Sequence, residues 1–111
     1  MSGMITRSRA FSTEVLKVVN NVAKQQFMVS IRGADAVLDY NKSGKNITYI
    51  HTNVPKQFQG KGVGKILAQY AFDYALDNKL DVTCKCHFLA NYLERNQGKY
   101  KNLKVKLDLE D

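Results

Sequence analysis

Over residues 63–78 the apolar side chains return every three or four positions: Val63, Ile66, Leu67, Tyr70, Ala71, Tyr74 and Ala75. That spacing gathers them on one face and predicts an α-helix over 63–78. Upstream the rhythm is that of strands. Residues 15–20 and 26–32 are rich in β-branched and apolar types on either side of the turn-like "NNVAK", and 34–40 makes a third run of the same kind. The polar "NKSGKN", with Gly44, reads as a turn into a fourth strand at 47–52, which Pro55 ends. Downstream, 80–86 alternates, with Leu80, Val82, Cys84 and Cys86 on one side and Asp81, Thr83 and Lys85 on the other. "HFLANYLERN" then predicts a second, shorter helix. The order describes an α/β (α+β) fold with a main helix after the fourth strand and a short C-terminal helix.

Composition narrows what such a fold can be. With 111 residues, 44% of them hydrophobic, the chain can bury one core and is too short for two, so 15–111 is expected to be a single domain. No window approaches eighteen uncharged apolar residues, and no repeat period is visible, so no membrane span is expected. The opening "MSGMITRSRAFST" has two arginines, several hydroxyl residues and no acid. Residues 1–14 are expected to be a flexible tail, the same composition being that of an organelle transit peptide. The two cysteines, spaced Cys84-Lys85-Cys86, are poorly placed for a disulfide, which points to a reducing, cytoplasmic setting, or a mitochondrial one if the tail is a targeting segment. The net charge of +7 attracts polyanions, but much of the excess lies in the tail and in "GKYKNLKVK" without an aromatic-basic motif that reads bases. A nucleic-acid-binding domain is therefore the minor alternative.

Gly60, Gly62 and Gly64 crowd five positions between the fourth strand and the main helix. A helix start exposes unpaired N–H groups, and glycines let an anion approach them, so the arrangement suits a phosphate. Lys56, Lys61 and Lys65 add charge nearby. The spacing excludes a Walker loop, since Gly60 and Gly64 enclose three residues and Ile66 follows Lys65. A dinucleotide fingerprint would need glycine where Lys65 stands. The remaining alternative is a tight strand-to-helix turn with no ligand.

Gln59-Gly60-Lys61-Gly62-Val63-Gly64 resembles the Gln/Arg-x-x-Gly-x-Gly/Ala loop of the GNAT superfamily of acetyl-CoA-dependent acyltransferases. "YIHTNVPKQFQGKGVGKIL", with Cys86 followed six residues later by Tyr92, is similar to its minimal single-domain subgroup, the N-acetyltransferase domain-containing protein 1-like proteins. The resemblance implies a mixed, largely antiparallel sheet. It implies acetyl-CoA as co-substrate, bound by Gln59 and the loop it opens, with the amides of Gly60, Lys61, Gly62, Val63, Gly64 and Lys65 on the pyrophosphate. The strand end at Thr52, Asn53 and Val54 would lie along the pantetheine. The implied activity is acetyl transfer to an amine, a protein's lysine or N-terminus among the candidates, through a gap between the strands at 47–52 and 80–86. An open acceptor side follows, because only "NNVAK" stands where larger members insert two helices. A non-catalytic acyl-CoA-binding module is the chief rival.

Three residues are candidates for the proton chemistry. Many superfamily members place a glutamate on the fourth strand, whereas "NITYIHTNV" has no carboxylate and offers His51. His51 is a base or an ordinary polar strand residue. Cys86, at the strand's end, is a nucleophile, an acid to the leaving thiolate, or a small core residue like Cys84. Tyr92 presents its hydroxyl to the coenzyme sulfur or packs with Phe88 against the sheet. Zinc on Cys84, Cys86 and His87 would need a fourth group, and the only other histidine is His51, so no metal is expected.

Overall fold

A computed structural model describes residues 3–7 and 15–110. The elements are β1 (Gly3–Arg7), β2 (Val15–Asn21), β3 (Gln26–Ile31), β4 (Ala34–Ser43), β5 (Asn46–Asn53), a 3₁₀ turn (Lys56–Phe58), α1 (Val63–Asp77), β6 (Asp81–Cys84), α2 (His87–Arg95) and β7 (Val105–Leu107). The seven strands form one sheet in chain order. Each neighbour from β1 to β5 is antiparallel, and β6 joins β5, and β7 joins β6, in parallel. Tight turns join β2 to β3, β3 to β4 and β4 to β5, whereas parallel neighbours need a crossover, which α1 and α2 provide. Both helices agree with the pattern of the sequence, and the mixed, largely antiparallel sheet with what the resemblance implies.

Two strands go beyond that pattern. The segment 1–14, read as a tail, contains β1, whose backbone pairs with β2 from Gly3 opposite Val19 to Arg7 opposite Val15. The main helix therefore follows the fifth strand. The rest of that segment, 1–2 and 8–14, lies outside the described residues. β7 is only three residues long and alternates too briefly to stand out, and it exists because β6 offers it an edge.

One face of the sheet is dry. Leu16 and Val18, Phe27, Val29 and Ile31, Ala36, Leu38 and Tyr40, Ile47 and Tyr49, and Val82 and Cys84 all point to it and are buried. α1 covers this face with Val63, Ile66, Leu67, Tyr70, Ala71 and Ala75, and fully burying each large side chain contributes roughly 1.5–3 kcal/mol. Phe27 sits at the centre, its ring 4.7 Å from that of Tyr40, 5.1 Å from Tyr70 and 5.3 Å from Tyr74. Phe72, off the predicted stripe, turns sideways and stacks on Tyr92 of α2 at 5.9 Å. The opposite face, with Lys17, Val19, Ser30 and Asp35 exposed and Met28, Val37 and Asp39 half-buried, carries no helix among the described residues.

The β4–β5 hairpin contains an irregularity that sets up the site. From the tight turn, Ser43 opposes Asn46 and the register runs evenly to Tyr40 opposite Tyr49. The next pair is Asp39 opposite His51, so Ile50 is an extra residue, a β-bulge. Beyond the bulge the two faces of β5 are exchanged. His51 joins Asp39 on the uncovered face, and Thr52, opposite Leu38, joins the helical one.

Candidate active site

β5 and β6 stay together only from Asn46–Tyr49 against Asp81–Cys84, with one further bond from the Lys85 N–H to the Tyr49 carbonyl at 2.9 Å. Past it, β5 keeps β4 as partner and runs on to Asn53, while the other chain turns at Cys86 into α2. The strands thus part at the bulge. Thr52 Oγ1 faces Cys86 Sγ across the opening at 4.0 Å. On its far side β6 is backed by the C-terminal segment. The Asp108 N–H donates to the Cys84 carbonyl, the Glu110 N–H donates to the Lys85 carbonyl, and Lys85 pairs with Asp108 at 3.0 Å. His87 Nε2 meets the Glu110 carbonyl at 2.9 Å, which turns that ring to the C-terminal segment.

The glycine loop lies on the helical side of this gap. Gly60 has φ of 77° and Gly62, the N-cap of α1, has φ of 86°, both in the left-handed region that side chains disfavour. The first bond within α1 runs from the Ile66 N–H to the Gly62 carbonyl at 3.2 Å. The amides of Val63, Gly64 and Lys65 therefore precede the helical ladder, and no acid stands in the first turn to compete for them. Gly64 is small for another reason. A Cβ there would come within 3.0 Å of the Phe88 ring, which α2 lays over the start of α1. Loop, strand end and Phe88 enclose a cavity of about 370 Å³ that Thr52, Val54, Phe58 and Lys65 also line. Gln59 fastens the loop to the strand by donating its side-chain N–H to the Val54 carbonyl at 3.0 Å. Lys56, Lys61, Lys65 and Asn53 are exposed. Of the residues expected along the coenzyme, Thr52, Val54, Gln59, Gly60, Gly62, Val63, Gly64 and Lys65 line this cavity, and Asn53 and Lys61 do not.

The proton-chemistry candidates divide. Cys86 is half-buried beside Thr52, whereas Cys84 is fully buried, and burial pushes its thiol above the ordinary value. His51 is exposed on the other face, its Nε2 2.9 Å from Asp39 Oδ2. Tyr92 is not drawn to the gap. Its hydroxyl meets that of Tyr100 at 3.3 Å, and Tyr100 in turn donates to Asp73 at 2.8 Å, on the flank of α1. Burial, and then the bonds with Tyr92 and Asp73, hold the Tyr100 phenol far above its usual range. The Tyr92 ring packs on Phe72 and Tyr100, and Phe88 instead lies over Gly64. Phe88, Phe58 and Asp39 are site residues that sequence reasoning did not select. Phe88 sits one turn before Tyr92 on α2, but only the meeting of two helix starts brings it to Gly64.

The family model of the GCN5-related N-acetyl-transferases matches residues 26–103, which spans β3 through the turn before β7. The chain belongs to this family. Protein NATD1 of Mus musculus and that of Homo sapiens are each 32% identical to it over 84 residues, covering 73% of this chain and 76% and 74% of theirs. That of Danio rerio is 29% identical over the same share of the chain and 76% of its own. The acetyltransferase domain has, among its described residues, no group of three or more His, Cys, Asp or Glu that could hold a metal ion. Among the described residues no helix is long and apolar enough to cross a membrane.

Proposed function

We propose that this domain binds acetyl-CoA and transfers the acetyl group to an amine. One observation carries the reading. Thr52 both lines the glycine-loop cavity and stands 4.0 Å from Cys86, so cavity and gap share a wall at Thr52. The coenzyme pyrophosphate takes the amides of Val63, Gly64 and Lys65, whose partial positive charge and lysine rim suit a dianion. The pantetheine lies along 52–54, where β5 has left β6, and the thioester reaches the gap. Because loop and helices occupy one face, the amine enters from the uncovered face, where His51 stands. Its nitrogen attacks the thioester carbonyl carbon, His51 takes the ammonium proton, and the C–S bond then breaks to release the coenzyme thiolate. The Tyr92 hydroxyl being engaged elsewhere, the thiolate is met by the start of α2, whose own ladder begins only with the Ala90 N–H on the Cys86 carbonyl at 3.0 Å. An open face suits an amine on a protein or peptide.

Acetyl-CoA is to be tested with a panel of amine acceptors, following free thiol and the mass of every species. Thiol release matched by acetylated acceptor is expected. Saturable thermal stabilisation by CoA with no transfer to any acceptor would make the domain a binding module, and no stabilisation at all would overturn the reading.

A further inference from the structure

Gln26, Asp39 and His51 stand side by side in one row across β3, β4 and β5 on the uncovered face. Gln26 Nε2 donates to Asp39 Oδ1 at 2.7 Å, and His51 Nε2 lies 2.9 Å from Asp39 Oδ2. Both carboxylate oxygens are therefore engaged, and the Gln26 bond fixes the plane in which the second one meets the imidazole. An ionised carboxylate only accepts, so the nitrogen facing it carries the hydrogen. In the neutral ring the lone pair is then on Nδ1. The His51 side chain is 60% exposed, and a contact so placed contributes little to folding. What it fixes is orientation.

We infer that Asp39, steadied by Gln26, is a positioning residue that holds His51 as the Nε2–H tautomer and turns Nδ1 toward the incoming amine. The inference rests on the reading of His51 as proton acceptor. In the transfer step the proton leaves the ammonium nitrogen for Nδ1, the resulting imidazolium is held by the Asp39 carboxylate through Nε2–H, and the exposed ring returns the proton to water. The bulge at Ile50 is what permits this. An even register would place His51 opposite Leu38, on the face that the helices cover.

The test uses the full chain carrying ¹⁵N-labelled histidine, with the tautomer of His51 read by NMR and transfer to the best amine measured in parallel. Wild type is expected to show Nε2–H. In Asp39→Asn the Gln26 amide keeps the new side chain's oxygen, so its NH₂ faces the imidazole, and His51 is expected to switch to Nδ1–H. The kcat should fall roughly ten- to a hundredfold, with the KM for acetyl-CoA unchanged. Asp39→Ala should give a mixture of tautomers and an intermediate rate, which separates loss of the positioning contact from its reversal. A tautomer identical in wild type and Asp39→Asn overturns the inference whatever the rate. A switched tautomer with unaltered kcat leaves the Asp39 contact standing and overturns instead the assignment of His51 as proton acceptor.

Discussion

The two faces of the β5–β6 gap are built from different materials. On the helical face the work falls to backbone: two glycines at positive φ, a third kept small under Phe88, and three amides ahead of the α1 ladder. On the uncovered face it falls to side chains held in register, Gln26, Asp39 and His51. A backbone site tolerates almost any neighbour that leaves its shape intact, whereas a side-chain row is lost by a shift of one residue. Coenzyme binding and proton transfer should therefore fail separately.

The strongest separation comes from His51→Ala. The rate of transfer should fall about 10²- to 10⁴-fold, roughly 3–5 kcal/mol of transition-state stabilisation, while thermal stabilisation by CoA is retained. Equal loss of both would mean that the two faces are one site. The converse variant is Gly64→Glu, which puts a carboxylate where the phosphate is expected. Gly64 is helical without a positive φ, and the Phe88 ring, 44% exposed, can yield to a side chain. The apo fold should survive, and the stabilisation of about 2.7 kcal/mol given by CoA at a hundred times its Kd should disappear. Gly62→Ala sharpens the point, because its φ of 86° makes the apo fold itself pay, by about 1–2 kcal/mol.

The cysteines extend the comparison to smaller effects. Cys84→Ala should cost about 1 kcal/mol in denaturant unfolding by leaving a hole in the core. Cys86→Ala should leave stability nearly unchanged. Alkylating reagents should reach Cys86 first, and saturating CoA should protect it; modification of Cys84 in the folded protein, or equal rates with and without CoA, would move the thioester away from Thr52 and Cys86. The mildest effect is that of pH. Burial raises the Cys84 thiol above its ordinary 9.0 and the Tyr49 and Tyr100 phenols above 10.0. The unfolded chain then releases these protons before the folded one, so their contribution is fully present below about pH 9 and erodes as pH rises beyond it. A melting series from pH 7 to alkaline values should be flat at first and then decline.

What was legible in the sequence was local. The α1 stripe and the glycine spacing each involve neighbours within a few residues, and the β-branched runs that mark β2 to β5 and the alternation of β6 need no partner to be seen. Even the family resemblance rests on contiguous residues, from 49 to 67, and on the step from Cys86 to Tyr92. The partners of each side chain are not legible in this way. Counting back from the turn at Ser43 and Asn46, Asp39 should oppose Ile50, and only the bulge brings it to His51. The hydroxyl of Tyr92 could serve the gap or the core equally well on a helical wheel, until Tyr100 arrives from eight residues away to take it. β1, Gly-Met-Ile-Thr-Arg, shows no clear apolar alternation and β7 has only three residues, and both form because β2 and β6 have open edges. Sequence thus determined the two helices, the strands β2 to β6 and where an anion can meet a helix, since those follow from propensity and spacing. Register, and with it the face on which His51, Thr52 and Asp39 stand, belonged to the tertiary structure, because a single extra residue in one strand exchanges its two sides without altering its composition.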